Sequence, residues 1–162
     1  MKKTIFGLLC VFIINNDVTY AVAPKVLTIV NSCPIGGGKE YIVCKIKETF
    51  PEEPDVMLAI AMSESGLNTE ATNWNCKYTK VDETGATSTY STSCKKQDRA
   101  NAFSTDHGLF QINNATEAEK SLEGNLKAAR AKYDTKLNKR HWSDFKNGKY
   151  LKYLPEARSM IE

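Results

Sequence analysis

The stretch Leu58-Ala-Ile-Ala-Met-Ser-Glu-Ser-Gly-Leu-Asn68 joins an apolar run to a single carboxylate, that of Glu64. The apolar run begins at Val56, and Pro54 before it suits a first helical position because its ring fixes φ and its missing N–H would have no partner there. Apolar residues on all sides predict a helix that lies inside a core. Gly66 predicts a left-handed end to this helix.

Glu64 follows Ile60 and Ala61 by four and three residues, so we expect its side chain on the face that they share. A carboxylate in the last turn meets the negative end of the helix dipole, and its apolar neighbours partly desolvate it. Both effects disfavour the charged form and predict a raised pKa, which a general acid needs near neutral pH. The competing interpretation is a solvated glutamate at a helix end, because acidic residues are mostly exposed.

A second stretch, Ser104-Thr-Asp-His-Gly-Leu-Phe-Gln-Ile-Asn113, joins a small polar segment to an apolar one. Together the two stretches resemble the lysozyme-like superfamily. Glu64-Ser65-Gly66 resembles the catalytic Glu-Ser-Gly of soluble lytic transglycosylases. The second stretch is similar both to the Gly-Leu-(Met/Phe)-Gln-Ile signature of those enzymes and to the Ser-Thr-Asp-Tyr-Gly-(Ile/Leu)-(Leu/Phe)-Gln-Ile-Asn of chicken-type lysozymes. With a weaker similarity to the closing helices of phage-type members, the resemblance covers roughly Tyr41 to Leu154.

This resemblance implies an α+β, mainly α, lysozyme-like fold with a small β-hairpin or sheet beside a catalytic cleft. It implies an enzyme that cuts peptidoglycan glycan strands between N-acetylmuramic acid and N-acetylglucosamine, with Glu64 as the general acid. We expect no cofactor and no metal. In a lytic transglycosylase, Glu64 would next take the proton of the muramoyl C6 hydroxyl, and an anhydro sugar would form.

The alternative is a hydrolytic lysozyme, in which a second carboxylate stabilises or attacks the anomeric carbon and water completes the reaction. Asp106 occupies the matching place in the Ser-Thr-Asp motif. An Asp in such a turn also often serves only as a local hydrogen-bond acceptor. Moreover, 41 residues separate Glu64 from Asp106, a much longer connection than in the chicken type. Glu-Ser-Gly, Gly-Leu-Phe-Gln-Ile and this spacing favour the transglycosylase, whereas Ser-Thr-Asp before the glycine favours the lysozyme.

Three polar residues are candidates for substrate binding. Gln111 and Asn113 match superfamily positions that line the sugar cleft, where their amides would bond N-acetyl groups, although Asn113 also fits a cap or turn residue. Ser104 is a candidate for orienting Glu64, and a solvated loop serine is the simpler interpretation. His107 stands where the lysozyme pattern has an aromatic residue, and we interpret it as structural or sugar-facing.

The C-terminal part is rich in aromatic residues. Tyr150 follows the turn Asn147-Gly148 and is a candidate for stacking on a sugar ring. Trp142 and Phe145 are predicted to pack in the core, since aromatic residues dominate cores.

Residues 1–23 are typical of a secretory signal, with Lys2 and Lys3, a ten-residue apolar run and the small-x-small site Ala21-Val22-Ala23. A lipoprotein signal at Cys10 is disfavoured because small residues do not precede it. The catalytic domain is expected over residues 24–162, in the periplasm or outside the cell. The apolar run is too short for a bilayer, which needs roughly 20 residues, so we expect no stable membrane span.

The net charge of the full sequence is +3, and it falls to +2 without Lys2, Lys3 and Asp17. This mild charge permits attraction to an anionic cell wall, and it lacks the clustered basic face typical of nucleic-acid-binding proteins. The expected partners are therefore peptidoglycan glycan strands and not nucleic acid, with the protein acting as a monomer. A chain of 162 residues favours a single domain.

Four cysteines remain after the predicted cleavage, Cys33, Cys44, Cys76 and Cys94. An even number in an exported chain predicts two disulfides, with three possible connectivities. We favour Cys33–Cys44 and Cys76–Cys94, because the segment between the second pair has the strand propensity and the central turn of a hairpin. A zinc site is disfavoured, because the sequence has no Cys-x-x-Cys and only two histidines.

Apolar spacing predicts the remaining helices. One follows from Tyr41 to Phe50 and should pack beside the Glu64 helix. Thr116 with Glu119 is a capping-box pattern at which a helix could begin. A clearer helix carries one buried stripe, formed by Leu122, Leu126, Ala129 and Tyr133.

An alternative of another class is a secreted protein without catalytic activity that binds glycan or a protein on the same scaffold, since one fold hosts many functions. The presence of Glu64 argues against it, because a protein of this kind that had lost its catalytic activity would most readily have lost this residue. A disulfide-stapled toxin or inhibitor is a more distant third reading.

Overall fold

Two successive helices, α1 (Lys39–Thr49) and α2 (Pro54–Ser65), begin the described chain. The structure, a computed structural model, describes residues 33–34 and 36–162, and the predicted signal peptide lies outside them. Helix α2 begins at Pro54 and is followed by Gly66, whose φ of 65° is left-handed, as predicted. The two helices pack against each other, which was also predicted.

A four-stranded antiparallel sheet follows, with strands β1 (Thr72–Val81), β2 (Thr87–Ser93), β3 (Ser104–His107) and β4 (Ile112–Asn113). Their spatial order is β2-β1-β3-β4. The predicted hairpin is confirmed as β1 and β2, and β1 starts at Thr72, four residues before Cys76. In the turn, the Asp82 carboxylate accepts the backbone N–H groups of Thr84 and Ala86.

The C-terminal part holds helices α3 (Leu122–Tyr133), α4 (Ser143–Lys146) and α5 (Leu154–Ile161). The Thr116–Glu119 capping box forms, with the Glu119 carboxylate accepting the Thr116 N–H at 2.9 Å. The capping box is followed by a short 3₁₀ turn and not by an α-helix. Helix α3 has its own N-cap, Ser121. The turn lies so close to α3 that a Cβ on Gly124 would come within 1.8 Å of the Ala118 carbonyl oxygen.

The core surrounds α2, whose residues Met57–Ala61 are fully buried. Residues from the other elements close around them, namely Ile46, Phe50, Leu109, Phe110, Leu126, Ala129 and Trp142. The prediction of a helix buried on all sides is therefore confirmed. The result is an α+β arrangement in which Glu64, in the last turn of α2, lies near the sheet and the C-terminal helices.

The two predicted disulfides are present. Cys33–Cys44 ties the start of the described chain to α1, and Cys76–Cys94 closes the base of the hairpin. Cross-links of this kind stabilise small domains by limiting the unfolded chain. Within the part of the chain that the structure describes, none of the helices has the length and apolar character to cross a membrane.

Candidate active site

Glu64 and Asp106 line the same cleft, which has a volume of about 170 Å³. Its walls come from the segment after β3, from α3 and from the start of α4, and they include Phe110, Gln111, Ile112, Asn113, Lys132, His141, Trp142 and Ser143. Three larger cavities, of about 370, 540 and 570 Å³, lie elsewhere on the described part of the surface. Their acidic side chains are exposed, whereas Glu64 is half-buried, so the smaller cleft is the better candidate for acid–base chemistry.

Burial raises the pKa of Glu64 to about 7. A hydrogen bond from the backbone N–H of Asp144, at 3.2 Å, acts in the opposite direction. The negative charges of Asp144 and Asp106 raise this pKa further, and the positive charge of Lys149 lowers it. The predicted raised pKa is confirmed, and Glu64 is present in both protonation states at neutral pH.

Side-chain amides hold Asp106 in place. Its Oδ2 accepts hydrogen bonds from Asn75 at 2.8 Å and from Asn73 at 3.4 Å, and its Oδ1 accepts one from Asn113 at 2.7 Å. Asn73 and Asp106 are directly opposite each other on β1 and β3. Asp106 therefore lies on a strand and not in a turn. The interpretation of Asp106 as a local hydrogen-bond acceptor expected backbone N–H donors, whereas the donors observed here are side-chain amides.

The other predicted binding residues divide between the cleft and its surroundings. Gln111 lines the cleft, and its Nε2 donates to the carbonyls of Gly108 at 2.9 Å and Ala71 at 3.3 Å. Ser104 Oγ accepts the amides of Asn75 and Asn113, each at 3.2 Å. Ser104 thus supports the cluster around Asp106, and the hydrogen bond that orients Glu64 comes from Asp144.

Tyr150 stacks on Phe145, with ring centroids 5.0 Å apart, and it is not among the residues that line the cleft. Phe145 packs against the core, as predicted. The His107 ring lies between the hydroxyls of Thr72, at 3.3 Å, and Thr105, at 2.9 Å. Since neighbouring strand residues face opposite sides, His107 points away from the face that carries Asp106, which is consistent with a structural role.

Asp144 is a residue of the candidate site that the sequence did not reveal. The residue is 8% exposed, and its Oδ2 accepts a hydrogen bond from Ser63 Oγ at 2.6 Å. Its Oδ1 pairs with Lys149 Nζ at 3.2 Å. The only signal in the sequence is a carboxylate within the aromatic segment that begins at Trp142, and nothing there places it beside Glu64.

Asn125 is a second residue that the sequence did not reveal, and its side-chain amide supports the backbone of the second motif. It is fully buried, its Oδ1 accepts the Phe110 N–H at 2.8 Å, and its Nδ2 donates to the His107 carbonyl at 2.9 Å. A Cβ on Gly108 would lie 2.4 Å from this amide, and Gly108 has a φ of +74°. Glycine is therefore required at this position in the second motif, because the chain there turns tightly around Asn125.

Trp142 forms part of the wall between the cleft and the core. It is 4% exposed, its Nε1 donates to the Phe110 carbonyl at 3.0 Å, and its ring lies 5.6 Å from that of Phe110. The predicted core role is confirmed. The same packing fixes the apolar wall that desolvates the cleft near Glu64.

Among the described residues, one group of side chains has a spacing that suits a metal ion, namely Cys33, Cys44 and Glu48. The two sulfurs are joined in a disulfide, so neither is a thiolate that could bind a metal. This group does not fit a zinc centre.

Comparisons of the chain with protein-family models, with curated proteins and with solved structures gave no significant match.

Proposed function

We propose that the protein is an exported, lysozyme-like glycosidase that cleaves peptidoglycan between N-acetylmuramic acid and N-acetylglucosamine, acting as a lytic transglycosylase. The observation that carries the proposal is the half-buried Glu64 carboxyl group, with a pKa of about 7, in a cleft that also holds Asp106. The two motif resemblances supply the substrate class. The two disulfides agree with an exported protein, because such bonds persist in oxidising compartments.

In the first step, protonated Glu64 gives its proton to the glycosidic oxygen while the bond from this oxygen to the muramoyl C1 breaks. Positive charge then develops on the sugar, as in other glycosidase transition states. In the second step, the muramoyl C6 hydroxyl attacks C1 and its proton passes to Glu64. A single group serves as acid and then as base most efficiently when its pKa lies near the working pH, and the pKa of Glu64 meets this condition.

Asp106 contributes a negative charge beside the developing cation. Both of its oxygens accept amide hydrogen bonds, from Asn75 and Asn113 among others, and these bonds hold the carboxylate in a fixed orientation. A fixed charge of this kind stabilises a cationic transition state without itself forming a bond. The chemistry requires no second acid–base group in the transglycosylase.

Hydrolysis is the second candidate, and the presence of Asp106 in the same cleft as Glu64 favours it. In this case Asp106 stabilises or captures the anomeric carbon, and water completes the reaction. The two carboxyl groups would then have different tasks, with the partly desolvated Glu64 as the acid and the amide-bound Asp106 as its partner.

The hydrogen bonds of Gln111 and Asn113 determine which end of each side-chain amide is available to the substrate. Each uses its NH₂ group in two hydrogen bonds within the protein, to carbonyls for Gln111 and to Ser104 and Asp106 for Asn113. Within residues 36–162, no donor reaches their side-chain oxygens. We therefore assign these oxygens as acceptors for the N–H groups of N-acetyl substituents.

Loss of turbidity of purified cell walls tests this function against the alternative of a binding module without activity. We expect the exported protein to clear the suspension, and the variant Glu64→Gln to bind the walls without clearing them. If the wild-type protein binds walls and never cuts them, the scaffold serves only binding.

A further inference from the structure

One face of the hairpin continues outward from the candidate cleft. Along β1, Asn73, Asn75 and Lys77 share a face because side chains of a strand alternate. Asn73 and Asn75 bind Asp106 in the cleft, so the face that carries Lys77 is the cleft side of the sheet. Opposite Lys77 on β2 is Ser91, a small residue that leaves the face open.

An aromatic ring and a cation lie together at the far end of this face. Phe103 is 51% exposed, and Lys77 Nζ lies 5.0 Å from the centroid of its ring. Lys77 is itself exposed, and none of the carboxylates in residues 36–162 forms a salt bridge with it. Lys77 lies four positions after Asn73, which corresponds to about 13 Å along a strand. A ligand that starts in the cleft must therefore extend over several sugar units to reach the pair.

We propose that Lys77 and Phe103 form a distal subsite that binds a muramoyl residue through the sugar face and through the carboxylates of its lactyl-peptide substituent. This inference rests on the proposed function, and it adds a preference for glycan strands that carry peptides.

The chemistry of the pair fits this occupant in two respects. A pyranose ring presents C–H groups that pack on an aromatic face, and the exposed part of the Phe103 ring offers such a surface. The peptide substituent carries carboxylates, and Lys77 supplies the complementary charge. Between this pair and the cleft, the face presents the short polar side chains of Asn75, Ser93 and Ser104, which bind hydroxyl and amide groups without blocking a strand.

The test measures binding separately from cleavage, and it uses the exported protein with Glu64→Gln as the parent. Its affinity is measured for insoluble peptidoglycan and for the same material after an amidase has removed the peptides. We expect tighter binding to the peptide-bearing wall. Adding Lys77→Gln or Phe103→Ala should weaken that binding about three- to fivefold and reduce the preference for peptides.

Two residues on the opposite face of the hairpin provide matched controls. Lys80 is an exposed lysine on the same strand as Lys77, and Tyr90 is 51% exposed, as is Phe103. Lys80→Gln and Tyr90→Ala should bind the wall as the parent does. Melting temperatures should show that all variants are folded.

Equal binding by the parent and by both test variants overturns the subsite and leaves the proposed function intact. Equal weakening by Lys80→Gln also overturns it, because the effect would then be one of net charge. If the folded parent binds neither wall preparation, the subsite and the proposed function both fail. If only the subsite is wrong, the wild-type protein still cuts cell walls.

Discussion

The backbone N–H of Asp144 donates a hydrogen bond to Oε1 of Glu64 at 3.2 Å, across 80 positions of sequence. The Asp144 side chain is held in turn by the hydroxyl of Ser63, which directly precedes Glu64. The end of α2 and the start of α4 are thus joined at the candidate acid. Asp144 fixes one oxygen of Glu64 through its backbone and raises the pKa of Glu64 through its charge.

Asp144→Asn should shift the pH dependence of wall cleavage. The variant keeps the backbone N–H but removes a negative charge that raises the pKa of Glu64, so this pKa should fall. Because cleavage needs protonated Glu64, the alkaline limb of the pH–rate profile should move to lower pH. Lys149→Gln is the opposing variant, since Lys149 lowers the same pKa, and it should move the limb to higher pH. Unchanged profiles in both variants would contradict the electrostatic role of this pair.

Glu64 should make the protein less stable as the pH rises. Its pKa is raised from 4.5 to about 7 in the folded state, so the folded protein binds more protons than the unfolded chain between these values. The free energy of unfolding therefore falls as the pH increases from about 4.5 to about 7 through this group. Glu64→Gln removes this dependence.

The measurement is the melting temperature of the wild type and of Glu64→Gln at pH 4 and pH 8. We expect the variant to gain stability relative to the wild type at the higher pH, in line with the cost of strained or desolvated groups at active sites. A constant difference between the two proteins across this range would show that Glu64 is not desolvated.

Asp106→Asn separates the two candidate reactions. In a transglycosylase, Glu64 is the acceptor in the second step, the nucleophile belongs to the substrate and Asp106 forms no bond. The variant therefore loses only the electrostatic contribution of Asp106 and should keep substantial activity. In a lysozyme, the same change removes the charge that stabilises or captures the cation, and hydrolysis should collapse. The initial rate of wall cleavage is measured. Asn73→Ala serves as a mild control, because it removes the longest hydrogen bond to Asp106 and a bond to Asn75 while it leaves the Asp106 charge in place.

Reducing the disulfides should lower the melting temperature. Loss of a native disulfide from a small secreted domain typically costs about 2 to 5 kcal/mol of stability. Cys76–Cys94 closes the base of the hairpin, whose strand β2 is exposed throughout, so this bond should matter most for that strand. Thiol titration of the exported protein before reduction should detect no free thiol, and four free thiols would refute the assignment.

Local patterns were sufficient to predict the elements that carry the site. The limits of α2, the hairpin turn and both disulfides follow from Pro54, Gly66, the Asp82 turn and the cysteine spacing, all of which act over short stretches of chain. The raised pKa of Glu64 was predictable because its apolar neighbours are adjacent in sequence.

Contacts between distant segments could not be predicted in this way. The position of Asp144 depends on how α4 docks at the end of α2, and no pattern near Asp144 records that docking. The buried amide of Asn125 and the amides around Asp106 are similar cases, since each joins segments that lie many residues apart. The turn before Tyr150 makes this residue a candidate for sugar stacking, but it does not predict the stacking of Tyr150 on Phe145.

Mass spectrometry of the fragments released from purified peptidoglycan tests the central claim most directly. Wild-type protein should release fragments with 1,6-anhydromuramic ends, and Glu64→Gln should release them at a rate lower by roughly 10²- to 10⁴-fold or more, because glutamine cannot deliver a proton. Reducing ends from the wild type would contradict transglycosylation and favour hydrolysis. Near wild-type release by Glu64→Gln, or no release by the wild type, would contradict the assignment of Glu64 as the catalytic acid.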